Sequence, residues 1–353
     1  SKRDTHQRGR SVSKLIFSNS KELIYKPRNL YIQKAFSSLI NYFNENSGLM
    51  DLRTNNVYYA EKFTVEEVIT HKECTNKNQL NNYYYRIGEL IVLLGIVGAT
   101  DMHSENIIAS GEYPYIIDCE TLLSQYEYDL EDNANLEVIN DHILRLFAIG
   151  ILPTKGFDNN VEGKGVDVSG LGGGQEEIYP TKVLVPINVY TDEMRFEYKY
   201  DAVIKANENL PKFKNKTITY HNYKNDIIQG FDDALNFVYR NRKEIIELIE
   251  NTFQNLLVRQ LTKSTAVYGD LLTFADHPHY LSDSKHLEKL FENNWANPYK
   301  DRRIVPYEVN DMLNMDIPIF FCNTSKNHII TSNYEYIEDY FPKSGLEITI
   351  SRL

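Results

Sequence analysis

The stretch Asp101-Met102-His103-Ser104-Glu105-Asn106-Ile107-Ile108-Ala109-Ser110-Gly111-Glu112-Tyr113-Pro114-Tyr115-Ile116-Ile117-Asp118-Cys119-Glu120 decides how this chain reads. A first acid, Asp101, is followed five positions later by an amide, Asn106. Two short β-type runs come next, Asn106–Ala109 and Tyr115–Ile117, joined by Ser110–Pro114, and a second acid, Asp118, closes the segment. Protein kinases carry that order: a catalytic-loop Asp, a metal-binding Asn, a hairpin, then a metal-binding Asp. Phosphoryl transfer needs one carboxylate at the acceptor hydroxyl and separate oxygen ligands for Mg²⁺. A tight hairpin, with Gly111 free to take positive φ, returns Asp118 to face the same metal as Asn106. Asp101 would then orient or deprotonate the acceptor, while Asn106 and Asp118 hold the metal on the ATP phosphates. An isolated Asp-x₄-Asn fits a surface loop equally well. The hairpin and Asp118 make the pattern specific.

Working outward, Tyr83–Gly98 reads as a buried helix rich in Leu, Ile and Val that delivers the chain to Asp101, with Tyr83-Tyr84-Tyr85 as packing. Upstream, Leu15–Phe17 and Glu22–Lys26 predict a β-hairpin stopped by Pro27. Tyr31–Phe43 has helical spacing, and Lys62–Ile69 fits strand or helix. A strand-end lysine such as Lys26 is ordinarily a solvated terminus. Upstream of Asp101 it stands where a kinase-like site puts the lysine that pairs with nucleotide phosphates. Downstream, Gly156–Gly174 carries Gly163, Gly165, Gly170, Gly172, Gly173 and Gly174 and is expected to be a mobile, activation-loop-like segment rather than a phosphate cradle. Leu184–Ile187 and Phe196–Tyr200 read as extended, Phe231–Leu257 as one long helix, and Leu287–Asn293 and Val309–Leu313 as further helices.

With 353 residues the chain can bury a large core and is expected to form two lobes. The formal charge of −11 argues against a general nucleic-acid surface. Cys74, Cys119 and Cys322 are far apart, which suggests a reducing compartment and gives no zinc knuckle or disulfide framework; His277-Pro278-His279 with Cys322 makes a poor zinc candidate. No run approaches the ~18 uninterrupted apolar residues of a membrane span, and no signal-peptide h-region follows Ser1-Lys2-Arg3-Asp4, so the reading is cytoplasmic. A dense polar motif at the very edge, without an initiator Met, implies that the chain is part of something longer.

Two further polar clusters stand out: Asp4-Thr5-His6-Gln7-Arg8-Gly9-Arg10-Ser11 near the start and Val258–Tyr268 at an expected helix end. In the second, Arg259, Lys263 and Thr265 could together grip a phosphate. A basic helix terminus answering its own dipole explains the same residues.

Taken in order, Asp4-Thr5-His6 with Gly9-Arg10-Ser11, Tyr25-Lys26-Pro27-Arg28, Asp101-x-His103-x-x-Asn106, Gly111-x-x-Pro114, Asp118-x-Glu120-Thr121 and Arg259–Thr265 resemble the dehydratase domain of class II lanthipeptide synthetases (the LanM family). Asp167-x-Ser169-Gly170-Leu171 and His277-Pro278 match as well, so the resemblance runs from about residue 2 to about residue 330. It implies an α+β, two-lobed, kinase-like fold of lipid-kinase type with family-specific helical and loop additions. Residues 1–78 would form the N-lobe-like part and 79–353 the C-lobe-like part. It also implies an activity: phosphorylation of Ser and Thr in a leader-bearing precursor peptide with ATP and Mg²⁺, then elimination of phosphate to dehydroalanine or dehydrobutyrine. Carried over, Lys26, Asp101, His103, Asn106, Asp118 and Glu120 belong to phosphorylation, with Lys26 also serving the nucleotide and Asn106, Asp118 and Glu120 the metal. Asp4, His6, Arg259 and Thr265 belong to elimination, where His6 acts as acid or base. Full-length members continue into a zinc-dependent cyclase domain; no such cluster stands here, and zinc is not expected in this piece.

Two other readings stay open. A simple kinase of a lipid, sugar or peptide hydroxyl needs only the first residue set. A catalytically dead kinase-like module would bind peptide without turning over ATP.

Overall fold

The computed structural model describes residues 5–125, 143, 145–156, 166–173, 177–178, 182–199, 203–204 and 208–353. Asp4 and most of the glycine-rich segment, including Gly163, Gly165 and Gly174, lie outside the described residues.

The expected N-terminal hairpin is present as β1 (Ser13–Ile16) and β2 (Glu22–Lys26), paired antiparallel with Ser13 opposite Tyr25. With β3 (Val57–Tyr59) and β4 (Thr64–Glu67) it forms an antiparallel sheet in the order β1-β2-β4-β3. The segment that fitted strand or helix is therefore strand. Thr64 and Glu66 alternate inward while Val65 and Glu67 are only half-buried, the period of two that a pleated sheet imposes. Between β2 and β3, α1 (Tyr31–Ser47) buries Ile32, Ala35, Phe36, Leu39, Ile40 and Phe43 on one face, and Gly48 ends it at φ 67°.

The core helix α2 (Lys77–Ile96) begins six residues before the expected Tyr83, because Asn76 caps it by accepting from the Gln79 amide. Tyr83 and Tyr84 are buried; their hydroxyls donate to Asn209 O (2.5 Å) and Ile218 O (2.7 Å), so they are packing residues. The helix Lys224–Arg240 lies against α2 at backbone contact. A Cβ on Gly88 would stand 2.1 Å from Ile227 O, and one on Gly230 would stand 2.0 Å from Tyr85 O.

The long helix expected over Phe231–Leu257 is in fact two helices, Lys224–Arg240 and Arg242–Thr252, followed by a strand, Leu257–Gln260. Asn241 breaks it: its side-chain amide donates to Phe237 O, and the two helices bury separate faces, Ala234, Phe237 and Val238 against Ile245 and Ile249. Asn255 at φ 56° then turns the chain into the strand, which pairs antiparallel with Phe320–Asn323. That second sheet continues through Ile329–Ile330 to Tyr336–Ile337.

The hairpin expected after Asp101 is present, with a tighter turn than the five-residue connection Ser110–Pro114. β5 (Ile107–Ser110) and β6 (Tyr113–Ile116) pair with Ser110 opposite Tyr113, and Gly111 sits at φ 62° in the two-residue turn. The pair Val183–Ile187 and Arg195–Lys199 is likewise an antiparallel hairpin. The later helices run Ser284–Phe291 and Val305–Leu313, each starting a few residues before its expected position, at the Asp283 cap and at Pro306 respectively. One continuous core joins α1, α2, the β5–β6 hairpin and the helices Lys224–Arg240 and Arg242–Thr252. The three cysteines are buried and unpaired, and no His/Cys/Asp/Glu cluster fit for a metal occurs among the described residues. No described helix is long and apolar enough to cross a membrane.

Candidate active site

A cavity of about 470 Å³ opens where the first sheet, the β5–β6 hairpin and the strand Leu257–Gln260 meet, and its walls include His6, Arg10, Arg28, Asp101, His103, Asn106, Asp118, Glu120, Arg259 and Thr265. Eight of the ten site residues expected from the sequence therefore share one space. Lys26 stands directly behind it, and Asp4 lies outside the described residues.

The Asp101–Asn106 segment is held in a specific shape. Asp101 sits at φ 66°, a left-handed conformation unusual for a non-glycine residue, which persists because the surrounding backbone over-determines it. The Met102 amide donates to Ile149 O (2.7 Å), and the Asn106 side-chain amide donates to Asp101 O (2.7 Å). His103 Nε2 is 3.7 Å from Asp101 Oδ1. Behind His103, the Asp167-x-Ser169-Gly170-Leu171 motif acts as a brace. Asp167 accepts from the Ser169 amide, Ser169 bridges to His103, and Gly170 allows a close approach to Met102 O that a Cβ would block at 2.9 Å.

Lys26, at the end of β2, is buried; its ammonium donates to Ile117 O (2.9 Å) and pairs with Glu66 on β4 (3.1 Å). Burial would pull its pKa down, but Asp118 and Glu66 outweigh that and hold it above its ordinary value. Glu66 is a site element with no signal in the sequence, because only the β2–β4 register places it opposite Ile24, beside Lys26.

Glu120 was expected as a metal and nucleotide ligand; in this structure its carboxylate is held by two guanidiniums. Arg28 reaches it at 2.7 Å and 3.1 Å, and Arg259 at 2.6 Å. Burial alone would raise its pKa; the two arginines override this and depress it to about 2. Glu120 is thus an anion near pH 7 that clamps Arg28, two residues past the end of β2, and Arg259, on the later strand, side by side. The Arg259 amide also donates to Glu120 O (2.8 Å). Arg28 belonged to the Tyr25–Arg28 motif but was not expected at the site. Asp118 takes the electrostatic cost: burial and the neighbouring Glu120 push its carboxyl up, and its Oδ1 is buried with no hydrogen-bond partner.

Arg259 lies on a strand rather than at a helix end, so the helix-terminus explanation does not hold for it. Thr265 is the first residue of the helix Thr265–Ala275, whose opening amides have no intrahelical partner. Lys263 does not join them. It turns to Asn294 and Glu308 and lies over the Tyr268 ring, inside a buried polar network.

His6 arrives from the opposite end of the chain. It is buried, and its Nδ1 lies 2.7 Å from Ile317 O, which fixes the proton on Nδ1 and leaves Nε2 as the free acceptor. Burial first, then the nearby Arg259, lower its pKa to about 4, so the ring is neutral near pH 7.

The site can do two kinds of chemistry. Asp118 Oδ1 and Asn106 supply oxygen ligands of the type Mg²⁺ prefers, and the unpartnered buried oxygen fits a cation. Arg259, Thr265 and the helix start above it suit a phosphate next to a neutral imidazole.

The family described as "Domain of unknown function (DUF4135)" matches residues 1–323. The chain is also 27% identical over 356 residues to the lacticin 481/lactococcin biosynthesis protein LcnDR2 of Lactococcus lactis subsp. lactis. That match covers 96% of this chain and 37% of the relative, so the chain spans little more than a third of that protein's length. The chain therefore belongs to the DUF4135 family.

Proposed function

We propose that this domain takes part in lanthipeptide biosynthesis by dehydrating Ser and Thr of a precursor peptide in two steps, phosphorylation from ATP followed by elimination of phosphate. The observation that carries this is the shared cavity: Asp101, Asn106 and Asp118 line it together with His6, Arg259 and Thr265. A plain kinase has no use for the second group. On this reading the chain is two-lobed and kinase-like, with residues 1–78 and 79–353 as its lobes.

Hydroxide is a very poor leaving group, so a serine hydroxyl must be activated before it departs. ATP with Mg²⁺ supplies the phosphoryl group, and Asn106 and Asp118 would hold the metal. The cavity wall carries four carboxylates, Asp101, Glu105, Asp118 and Glu120, against three guanidiniums, Arg10, Arg28 and Arg259. A polyphosphate entering such a wall needs added positive charge, which favours a divalent cation beside Asp118. Asp101, oriented by His103, takes the hydroxyl proton. In elimination, His6 Nε2 removes the proton α to the peptide carbonyl. The Cβ–O bond breaks, and phosphate leaves toward Arg259, Thr265 and the helix N-terminus. A neutral imidazole in the resting site favours the base role over the acid role.

The test uses the full chain with ATP, Mg²⁺ and precursor peptide, read by mass. Wild type is expected to remove one water per modified residue. His6→Ala and Arg259→Ala accumulate phosphopeptide, whereas Asp101→Asn forms none but still eliminates from a supplied phosphopeptide. Net gain of phosphate in the wild-type product would support a simple kinase. No ATP turnover would leave only a peptide-binding module.

A further inference from the structure

The turn that carries His6 is held by a segment about 310 residues away, Asp316–Ile317. The Ile317 amide donates to Thr5 O (2.8 Å), and its carbonyl takes the His6 Nδ1 proton (2.7 Å). The buried Asp316 carboxylate accepts from the Arg8 amide (2.5 Å) and the Gly9 amide (3.1 Å). His6 and Arg10 close the turn with two backbone hydrogen bonds, of 2.9 and 2.8 Å. Inside it Gln7, Arg8 and Gly9 all sit at positive φ, 48°, 68° and 80°. Two consecutive non-glycine residues in that region persist only when something outside the turn compels them. Asp316 supplies that compulsion, being itself fixed by its amide donating to Asp311 O (3.1 Å).

We propose that Asp316 is a positioning residue for His6: by taking two amide N–H groups of the Gln7–Gly9 turn, it sets where His6 Nε2 stands in the cavity. This rests on the proposed role of His6 in elimination. Asp316 does not line the cavity and acts only through the turn.

The test compares full-chain wild type, Asp316→Asn and Asp316→Ala. Phosphorylation of the precursor peptide and elimination from a chemically phosphorylated version of it are measured separately. For Asp316→Ala, elimination should fall at least ten-fold more than phosphorylation, with Asp316→Asn intermediate because it retains one acceptor oxygen. A parallel loss of both rates, or no change in either, overturns the proposal. A second readout does not depend on turnover. In ¹⁵N-histidine spectra, wild-type His6 should hold one tautomer and titrate near pH 4. Asp316→Ala, or Asp316→Asn if the alanine variant does not fold, should mix tautomers and move the titration toward ~6.5. An unchanged His6 signal sinks the assignment. If wild type performs no elimination at all, the functional reading fails, while the histidine spectra still decide the role of Asp316.

Discussion

At the residue scale, the decisive group is Glu120, because it changes what the acidic cluster can do. The family resemblance implied a metal ligand here, and the structure places two arginines on its carboxylate. One buried carboxylate holds two largely buried guanidiniums, so removing it deprives both of the partner they share. Losing one member of a buried ion pair costs on the order of 3–5 kcal/mol. Glu120→Gln is therefore expected to lower unfolding stability by several kcal/mol, on the order of that figure, and to weaken both half-reactions together. Raising Mg²⁺ should restore neither, whereas a variant that had lost only a metal ligand would recover part of its activity; titrating Mg²⁺ against rate separates the two. His6 makes a related point. Its residue type suited a proton carrier in either direction, and burial beside Arg259 keeps it neutral near pH 7, as the base role proposed for it requires.

At the element scale, the hairpins and the two strongest helices were legible because each is a local pattern. Gly111 in a two-residue turn, the apolar stripe of α1 and the Leu/Ile/Val run of α2 need no distant partner to be read. The failure at Phe231–Leu257 has the same origin. Apolar spacing continues across Asn241, and nothing local marks Leu257–Gln260 as strand until Phe320–Asn323 pairs with it. The contact between α2 and Lys224–Arg240 is a further case, since neither Gly88 nor Gly230 announces a backbone-to-backbone crossing. Alanine at position 88 would gain about 1 kcal/mol of helix propensity. It would also drive a methyl into Ile227 O at 2.1 Å, and overpacking of that kind costs about 1–3 kcal/mol or more. Gly88→Ala is expected to destabilise the protein by a net of up to about 2 kcal/mol, read by denaturant midpoint at unchanged m-value. A stabilised variant would mean that the two helices are not in contact.

At the scale of the whole molecule, the chain joins its beginning to its last third around one cavity. Thr5–Arg10 docks on Asp316–Ile317, and Arg259 docks on Glu120. Two incomplete proteins should therefore complement each other only through released intermediate. Mixing Asp101→Asn with His6→Ala is expected to yield dehydrated peptide that neither variant makes alone, more slowly than wild type because phosphopeptide must leave one cavity and enter another. Mass spectra of the mixture over time check this. A mixture that stays at phosphopeptide would place the elimination fault outside the residues assigned to it.

The reactive groups and their order could be read along the chain, because the Asp101–Asp118 hairpin and the helix before it are specified by neighbours a few positions apart. Which of those groups pair with one another came from the folded arrangement. Long-range register put Glu66 against Lys26, set Arg28 and Arg259 on Glu120, sent Lys263 away to Glu308 and left one Asp118 oxygen unpartnered. Charge state and availability depend on burial and on partners from about 40 to about 140 residues away, and no local pattern encodes either.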